Sequence, residues 1–236
     1  MLCVSGHAIA DEIQVAVASN FSDTMKRIAE RFEASSGHKV SLSFGSTGKH
    51  YAQIRNGAPF DAFFAADARR PELLEKEGVV QPGSRFTYAI GKLVLWSPDA
   101  GLVDTEGKVL ELGEFRHLAI ANPKLAPYGK AAQQFLESRG IWNSLQSRIV
   151  RGENAGQTYQ FVTSGNAELG LVALSQVKRP GRAIAGSVWE VPRRLYHPIA
   201  QQAVLLSGSA AASDLLAFVK DDEALAIIRG YGYLTP

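Results

Sequence analysis

The chain has 236 residues, of which 46% are hydrophobic and 20% charged, and its formal net charge is +2. This length accommodates one large domain or two small ones with hydrophobic cores of their own. The small net charge argues against nucleic acid as a partner, because nucleic-acid binding needs a stripe of Lys and Arg. No apolar run approaches the length of a membrane-spanning helix.

The first ten residues resemble the end of a secretory signal. Met1–Ala10 contains no charged residue and closes with Ala8-Ile9-Ala10, an A-x-A cleavage pattern that Asp11 follows. We therefore expect residues 1–10 to be a signal-peptide remnant and the protein to reach the periplasm. The only cysteine, Cys3, lies in this segment, so a chain cleaved at Asp11 would have none. A disordered tail and a lipid anchor on Cys3 are the alternatives.

Strand-like and helix-like patterns alternate in the first part of the chain. This alternation predicts an α/β fold with a mainly parallel sheet. The predicted elements are a strand at Ile13–Val17, a helix from Phe21 to Phe32 that ends before Gly37, a strand at Val40–Phe44, a short helix containing Tyr51 and Ile54, a buried strand at Ala62–Ala65 and a helix opened by Pro71.

A second α/β run lies between two long extended segments, Phe86–Trp96 and Ile199–Leu206. The predicted elements of this run are the strand Leu118–Ala121, the helix Lys130–Ser138, the strand Arg148–Val150, the helix Gln157–Thr163 and the strand Leu169–Ala173. Two helices, Ala210–Val219 and Glu223–Arg229, close the chain and are expected to pack on the first unit.

The two extended segments predict a chain that leaves a first lobe and later returns to it. We assign residues 11–88 and 200–236 to lobe 1 and residues 89–199 to lobe 2. Paired crossovers of this kind form a hinge, and ligands bind in the crevice at the carboxyl ends of the strands. The alternative is one continuous doubly wound sheet.

Four turns place small hydroxyl, amide or glycine residues directly before a helix. They are Ser19-Asn20, Ser46-Thr47-Gly48, Tyr128-Gly129 and Ala155-Gly156. Helix starts carry unpaired N–H groups and partial positive charge, so they bind anions without Lys or Arg. Four of them at equivalent positions, two in each lobe, predict a neutral cage for a small oxyanion. Each turn alone is also explained by ordinary helix capping.

Other chemistries lack their sequence patterns. Gly45–His50 does not have the spacing of a phosphate-binding loop, so Lys49 and His50 are expected to lie on a solvated helix face. The histidines show no metal-ligand spacing, and no G-x-S-x-G motif is present. Asp61 and Asp67 could form a carboxylate pair, although capping roles are the more common use of such residues. We therefore expect neither an enzyme nor a direct protein–metal site.

In combination, several segments resemble periplasmic molybdate-binding proteins, the receptors of ABC-type molybdate importers. The resemblance extends over Glu12–Pro236. The segments that carry it are Ala18–Phe21, Phe44–Gly48, Asn56–Asp61, Gly83–Trp96, Asn122–Pro123, Ala126–Gly129 and Leu169–Leu174.

The resemblance implies a two-lobed type II periplasmic binding protein fold that closes on molybdate or tungstate, with no cofactor. It also implies a membrane permease as partner, and we expect a monomer. Some family members place a second tyrosine where this chain has Ala173, so the resemblance is to the branch that uses Tyr128 instead. The oxyanion contacts implied are Ser19, Asn20, Thr47, Tyr128 and the backbone N–H of Ala155, with Ser46 as a neighbouring candidate.

Three other functions fit parts of the pattern. A receptor for sulfate or another tetrahedral oxyanion would share the architecture. An enzyme acting on a phosphorylated metabolite would need a base or nucleophile in the cage. The effector domain of a transcription regulator would need a helix-turn-helix partner and no export signal. For Thr47→Ala we expect weaker ligand binding with little loss of stability.

Overall fold

The computed structural model describes residues 11–236, and the signal-peptide remnant with Cys3 lies outside the described residues. The strands are β1 (Glu12–Ala18), β2 (Lys39–Gly45), β3 (Ala62–Phe64), β4 (Phe86–Gly91), β5 (Leu93–Ser97), β6 (Leu118–Ala121), β7 (Ile149–Gly152), β8 (Leu169–Ala173), β9 (Ser187–Glu190) and β10 (Ile199–Leu205). The helices are α1 (Ser22–Ser36), α2 (Thr47–Arg55), α3 (Arg69–Lys76), α4 (Val109–Leu112), α5 (Pro127–Ser138), α6 (Ala155–Thr163), α7 (Leu174–Val177), α8 (Ala210–Phe218) and α9 (Asp222–Gly230).

The strands form two sheets of five strands each, in the orders β2-β1-β3-β10-β4 and β7-β6-β8-β5-β9. The two-lobed prediction is therefore confirmed, and the alternative of one continuous sheet is wrong. In each sheet four strands run in one direction and one is reversed, β10 in the first and β5 in the second. Each lobe is thus built on a mainly parallel sheet.

The chain changes sheets at Lys92, between β4 and β5. The boundary that we drew after residue 88 falls inside β4, because the ladder between β4 and β10 continues to the pairing of Gly91 with Ile199. The extended segment at 86–96 is therefore two strands in different sheets. Gly91 ends β4 and Ile199 begins β10, so this pair marks where the chain leaves the first sheet and where it returns. The two crossing segments consequently run side by side as a hinge.

The core of the first lobe follows the predicted helical spacing. α1 buries Met25, Ile28 and Phe32 against β1, and it ends at Gly37, whose left-handed φ of 78° suits glycine. Leu215 of α8 belongs to the same hydrophobic cluster, as do residues of α9. The C-terminal helices therefore pack on lobe 1, as expected. In the second lobe α5 packs on the sheet in the same way.

Candidate oxyanion-binding site

Two of the predicted turns leave neighbouring strands of the first sheet. β1 and β2 are parallel, and Ala18 pairs with Gly45 at their carboxyl ends. A turn of 3-10 helix opens at Ser19, directly after β1, and α2 begins at Thr47, one residue after Ser46. The parallel register therefore brings two helix starts to one edge of lobe 1.

The second lobe repeats this arrangement. Ala121 pairs with Gly152 at the carboxyl ends of the parallel strands β6 and β7. α5 follows β6 with Pro127 at its first position, and α6 follows β7 with Asn154 as its capping residue. Two more helix starts, those that carry Tyr128 and Ala155, consequently lie at the equivalent edge of lobe 2.

The two edges are in direct contact. Ser19 Oγ of lobe 1 accepts a hydrogen bond of 3.0 Å from the backbone N–H of Gly156 in lobe 2 and donates one of 3.1 Å to Asn154 Oδ1. The backbone N–H of Gly48 in lobe 1 donates to the carbonyl oxygen of Leu125 in lobe 2, at 2.9 Å. We call this boundary between the lobes the seam. The lobes are therefore closed on each other.

Closure buries all the predicted contact residues, whose exposed fractions lie between 1% and 7%. A dry, closed interior strengthens the interaction of fixed dipoles with a charged ligand. The buried residues are Ser19, Asn20, Ser46, Thr47, Tyr128 and Ala155.

The hydroxyl groups of α2 are oriented by backbone N–H groups. Thr47 Oγ1 accepts from the N–H of Ala66 at 3.0 Å, and Ser46 Oγ accepts from the N–H of Lys49 at 3.2 Å. Because each oxygen already accepts, its own hydrogen is left to donate. Within residues 11–236 neither hydroxyl donates to a protein acceptor. Ser46 serves as a helix cap, but its cap bond does not use the hydroxyl hydrogen.

Tyr128, in the first turn of α5, is oriented in the same manner. Its hydroxyl oxygen accepts from the Gln201 side-chain amide at 3.3 Å. Burial, assisted by the electrostatic influence of neighbouring tyrosines, raises the pKa of Tyr128 well above its usual value. The hydroxyl consequently keeps its hydrogen and can donate a hydrogen bond at every physiological pH. A Cβ atom added to Gly91 would lie 2.1 Å from this hydroxyl oxygen, so the hinge glycine makes room for it.

The side chains of Ser19 and Asn20 are committed to protein partners. Ser19 joins the two lobes, as described above. Asn20 Nδ2 donates to Gln201 Oε1 at 2.9 Å and to the Tyr233 hydroxyl at 3.0 Å. The backbone N–H groups at the start of this turn, that of Asn20 among them, are the donors that the turn has left for a ligand.

Ala155 presents the first backbone N–H of α6, and a glutamine that our sequence reasoning missed fixes its position. Gln176 Nε2 donates to the carbonyl oxygen of Ala155 at 2.8 Å, while Gln176 Oε1 accepts from the N–H of Ala173 at 3.1 Å. Ala173 is fully buried at the end of β8. It therefore supports the start of α6 through Gln176.

Gln201 and Tyr233 were also missed. Gln201 is fully buried on β10 and contacts both Asn20 and Tyr128. The sequence does offer a signal for Gln201, because two glutamines stand together inside an otherwise apolar strand. A buried amide must find hydrogen-bond partners, which marks such a residue as part of a polar network. Tyr233 lies near the C-terminus and carries no such signal.

The six predicted contact residues include neither lysine nor arginine, and charged side chains near them form pairs between the two lobes. Lys49 Nζ lies 3.0 Å from Glu153 Oε1, and Arg179 Nη2 lies 2.6 Å from Asp23 Oδ2.

In the described part of the chain, no group of three or more His, Cys, Asp or Glu side chains could hold a metal ion. Nor does any helix of residues 11–236 combine the length and apolar character needed to cross a membrane.

The prediction that His50 faces solvent is wrong. His50 is 2% exposed, and its Nδ1 lies 3.0 Å from Gln53 Oε1. It shares the buried face of α2 with Thr47 and Ile54, three and four residues away. Burial lowers the pKa of His50, so the ring is neutral at physiological pH. Lys49, by contrast, is on the solvated face.

The two aspartates have separate structural partners. Asp61 Oδ2 accepts from the N–H of Gln14 at 2.8 Å, and its other oxygen accepts from the Ser207 hydroxyl at 2.7 Å. Asp67 Oδ1 accepts from the N–H of Arg70 at 3.0 Å, at the start of α3. These contacts favour the capping interpretation over a catalytic carboxylate pair.

Comparison with known proteins gives a consistent result. The family model for bacterial extracellular solute-binding proteins matches residues 13–234. The molybdate-binding protein ModA of Azotobacter vinelandii is 54% identical over 96% of this chain and 91% of its own length. The protein of the same name from Rhodobacter capsulatus is 48% identical over 97% of this chain and 90% of its own length.

The solved structures include a close neighbour as well. The structure of the Azotobacter vinelandii periplasmic molybdate-binding protein superimposes with a TM-score of 0.93 at 46% identity, covering 95% of this chain and 99% of that one. The chain belongs to the family of bacterial extracellular solute-binding proteins, and within it to the ModA group.

Proposed function

We propose that this chain is a periplasmic receptor that captures molybdate between its two lobes and delivers it to the permease of an ABC importer. The observation that carries the proposal is the meeting of four helix starts, two from each lobe, around hydroxyls that are oriented to donate. The high identity to proteins named as molybdate-binding supports the choice of ligand. Tungstate, a tetrahedral dianion of the same charge, would bind in the same way.

Neutral donors are sufficient to hold a dianion in this site. Burying the anion is costly unless hydrogen bonds replace its water shell. Each hydrogen bond to a charged group contributes about 1.5–3 kcal/mol, and each helix start adds about 0.3–1 kcal/mol. The donors we assign are the hydroxyls of Ser46, Thr47 and Tyr128 and the backbone N–H groups of Asn20 and Ala155.

Ser19 has a different role in this proposal. Its hydroxyl accepts from Gly156 and donates to Asn154, so it holds the lobes together around the ligand. The side chain then contributes to affinity by stabilising the closed form. We expect the chain to act as a monomer. It performs transport and not catalysis, because none of the five donors is a nucleophile paired with a base.

Calorimetry with molybdate, tungstate, sulfate and phosphate tests the ligand. We expect molybdate and tungstate to bind tightly and the two smaller anions weakly. Tyr128→Phe, which removes the hydroxyl and keeps the aromatic ring, should weaken molybdate binding about tenfold or more. Sulfate or phosphate binding as tight as molybdate binding would refute the ligand assignment, and an unchanged affinity in Tyr128→Phe would remove Tyr128 from the site.

A further inference from the structure

A buried glutamine on the hinge strand connects the ligand-facing groups of the two lobes. Gln201 lies on β10 and is fully buried. Its Oε1 accepts from Asn20 Nδ2 at 2.9 Å and lies 3.0 Å from the Tyr88 hydroxyl, whose single hydrogen is shared between this oxygen and the Ala65 carbonyl oxygen at 3.1 Å. Its Nε2 donates to the Tyr128 hydroxyl at 3.3 Å. One side chain therefore contacts lobe 1 through its oxygen and lobe 2 through its nitrogen.

The orientation of the Gln201 amide is set by what surrounds it. Asn20 Nδ2 also donates to the Tyr233 hydroxyl, whose own hydrogen is directed at Ser175 Oγ, 2.8 Å away, and at the backbone carbonyl oxygen of Asn20, 2.9 Å away. With Asn20 fixed as a donor, Gln201 must present its oxygen to it. The Gln201 nitrogen is then directed at Tyr128. An amide N–H can only donate, so the Tyr128 oxygen accepts there and its single hydrogen is directed elsewhere.

We propose that Gln201 is a specificity-determining residue, because it forces Tyr128 to act towards the ligand only as a donor. This inference rests on the proposed function, in which Tyr128 contacts the anion. An oxyanion that carries a proton needs an acceptor for that proton. With the Tyr128 oxygen occupied by Gln201, the hydroxyl cannot supply one. Gln201 thus acts through Tyr128, as a positioning residue, to exclude protonated anions.

The next residue on the strand provides a matched control. Gln202 Nε2 donates to Thr87 Oγ1 at 3.1 Å, and Gln202 Oε1 accepts from Arg85 at 2.9 Å. The ladder between β10 and β4 shifts register between Gln201 and Gln202. A change at Gln202 therefore perturbs the same hinge strand without reaching Tyr128.

Sulfate and hydrogen phosphate are the appropriate pair of probes. They are dianions of similar size at mildly alkaline pH, and they differ in the proton that phosphate carries. Their affinities are measured by competition against molybdate, in the wild-type protein and in Gln201→Leu. We expect the preference for sulfate over hydrogen phosphate to fall about fivefold or more, the size of one hydrogen bond. Gln202→Leu should leave the preference unchanged.

A purely structural role for Gln201 predicts a different result. Loosening of the site would weaken the binding of sulfate and of hydrogen phosphate equally. An unchanged ratio of the two affinities in Gln201→Leu would therefore overturn the inference. In a Tyr128→Phe background the Gln201→Leu change should no longer alter the ratio, since the hydroxyl is gone. A full effect in that background would also overturn it. The proposed function fails separately, if sulfate or phosphate binds the wild-type protein as tightly as molybdate does.

The wild-type protein offers a test that does not depend on a foldable variant. In NMR spectra, the side-chain amide hydrogens of Gln201 should show nuclear Overhauser effects to the Tyr128 ring hydrogens next to the hydroxyl. Effects to the Tyr88 ring without any to Tyr128 would mean that the amide is turned the other way. That result would overturn the inference even if Gln201→Leu failed to fold.

Discussion

The hydroxyl oxygen of Ser19 lies 3.0 Å from the backbone nitrogen of Gly156, across the seam between the two lobes. Ser19 is part of the turn that leaves β1, and Gly156 is in the first turn of α6. A Cβ atom on Gly156 would lie 3.3 Å from that of Ser19, so only glycine allows this approach without displacement. The contact exists only while the lobes are closed.

Ser19→Ala should therefore weaken molybdate binding by destabilising the closed form. The variant loses two hydrogen bonds between the lobes, each of about 0.5–1.5 kcal/mol, so affinity should fall about fivefold or more. The effect should appear mainly in the dissociation rate, measured by stopped-flow fluorescence. Ser35→Ala, on the far end of α1, is the control. A faster association rate with an unchanged dissociation rate would contradict the role of Ser19 in stabilising the closed form.

The side chain of Thr47 should contribute to stability as well as to binding, which revises our expectation from the sequence. Its hydroxyl accepts from the buried N–H of Ala66. Thr47→Val keeps the shape but leaves that N–H without a partner, at a cost of about 1–3 kcal/mol in the free energy of unfolding. Urea denaturation measures this cost. Thr47→Ser should restore both stability and binding, and a stable Thr47→Val would refute the assignment.

The ion pairs across the seam should make closure weakly dependent on salt. Lys49 and Glu153 are 56% and 44% exposed, so this pair contributes only about 0.2–1 kcal/mol. Glu153→Gln should lower molybdate affinity by about fivefold or less, and the difference from wild type should vanish at high salt. The control is Glu72→Gln, which breaks an exposed pair within α3. Equal effects of the two variants would argue against a role in closure.

Replacing the hinge glycine should disrupt the site. In Gly91→Ala the new methyl group would have to occupy the position of the Tyr128 hydroxyl. Because a displaced hydroxyl cannot donate to the anion, we expect molybdate affinity to fall by about tenfold or more. Gly208→Ala introduces a methyl group into open space and serves as the control. Unchanged affinity in Gly91→Ala would mean that Tyr128 is not held where we place it.

Stability should fall in alkaline solution because of the buried tyrosines. Burial raises the pKa of Tyr88 and Tyr128 well above the usual value. The native state therefore keeps protons that the unfolded chain loses above about pH 10. Each such tyrosine should lower the free energy of unfolding by up to about 1.4 kcal/mol per pH unit above that point. Denaturation at successive pH values measures the slope, which Tyr88→Phe should reduce.

The sequence was sufficient for the parts of the fold that repeat a local pattern. Alternating apolar residues in β1 and the spacing of Met25, Ile28 and Phe32 indicate one strand and one helix without tertiary information. The extended segment around Gly91 was harder, because both of its halves are strands. Which sheet each half joins depends on partners more than 70 residues away. The four-residue helices α4 and α7 are too short to show any helical period.

The candidate site was predicted in part for a similar reason. Helix starts after strands have a sequence signature, so Ser46 and Thr47 could be found locally. The partners that orient them are distant in sequence, as Gln201 is from Tyr128. His50 misled us because hydrophobicity patterns treat histidine as polar, whereas its place on α2 is fixed by the spacing from Thr47. Sequence patterns locate the donors but not the groups that orient them.

The absence of any lysine or arginine among the five donors that we assign bears on how the empty receptor closes. A binding site built around a fixed cation would resist closing when empty, since the cation would be sequestered without a counter-charge. Here closing the vacant lobes costs only the burial of unpaired hydroxyl and N–H donors, which is less than the cost of burying an unpaired charge. An anion supplies the acceptors that those donors lack, so we expect the ligand to shift the receptor strongly towards its closed form.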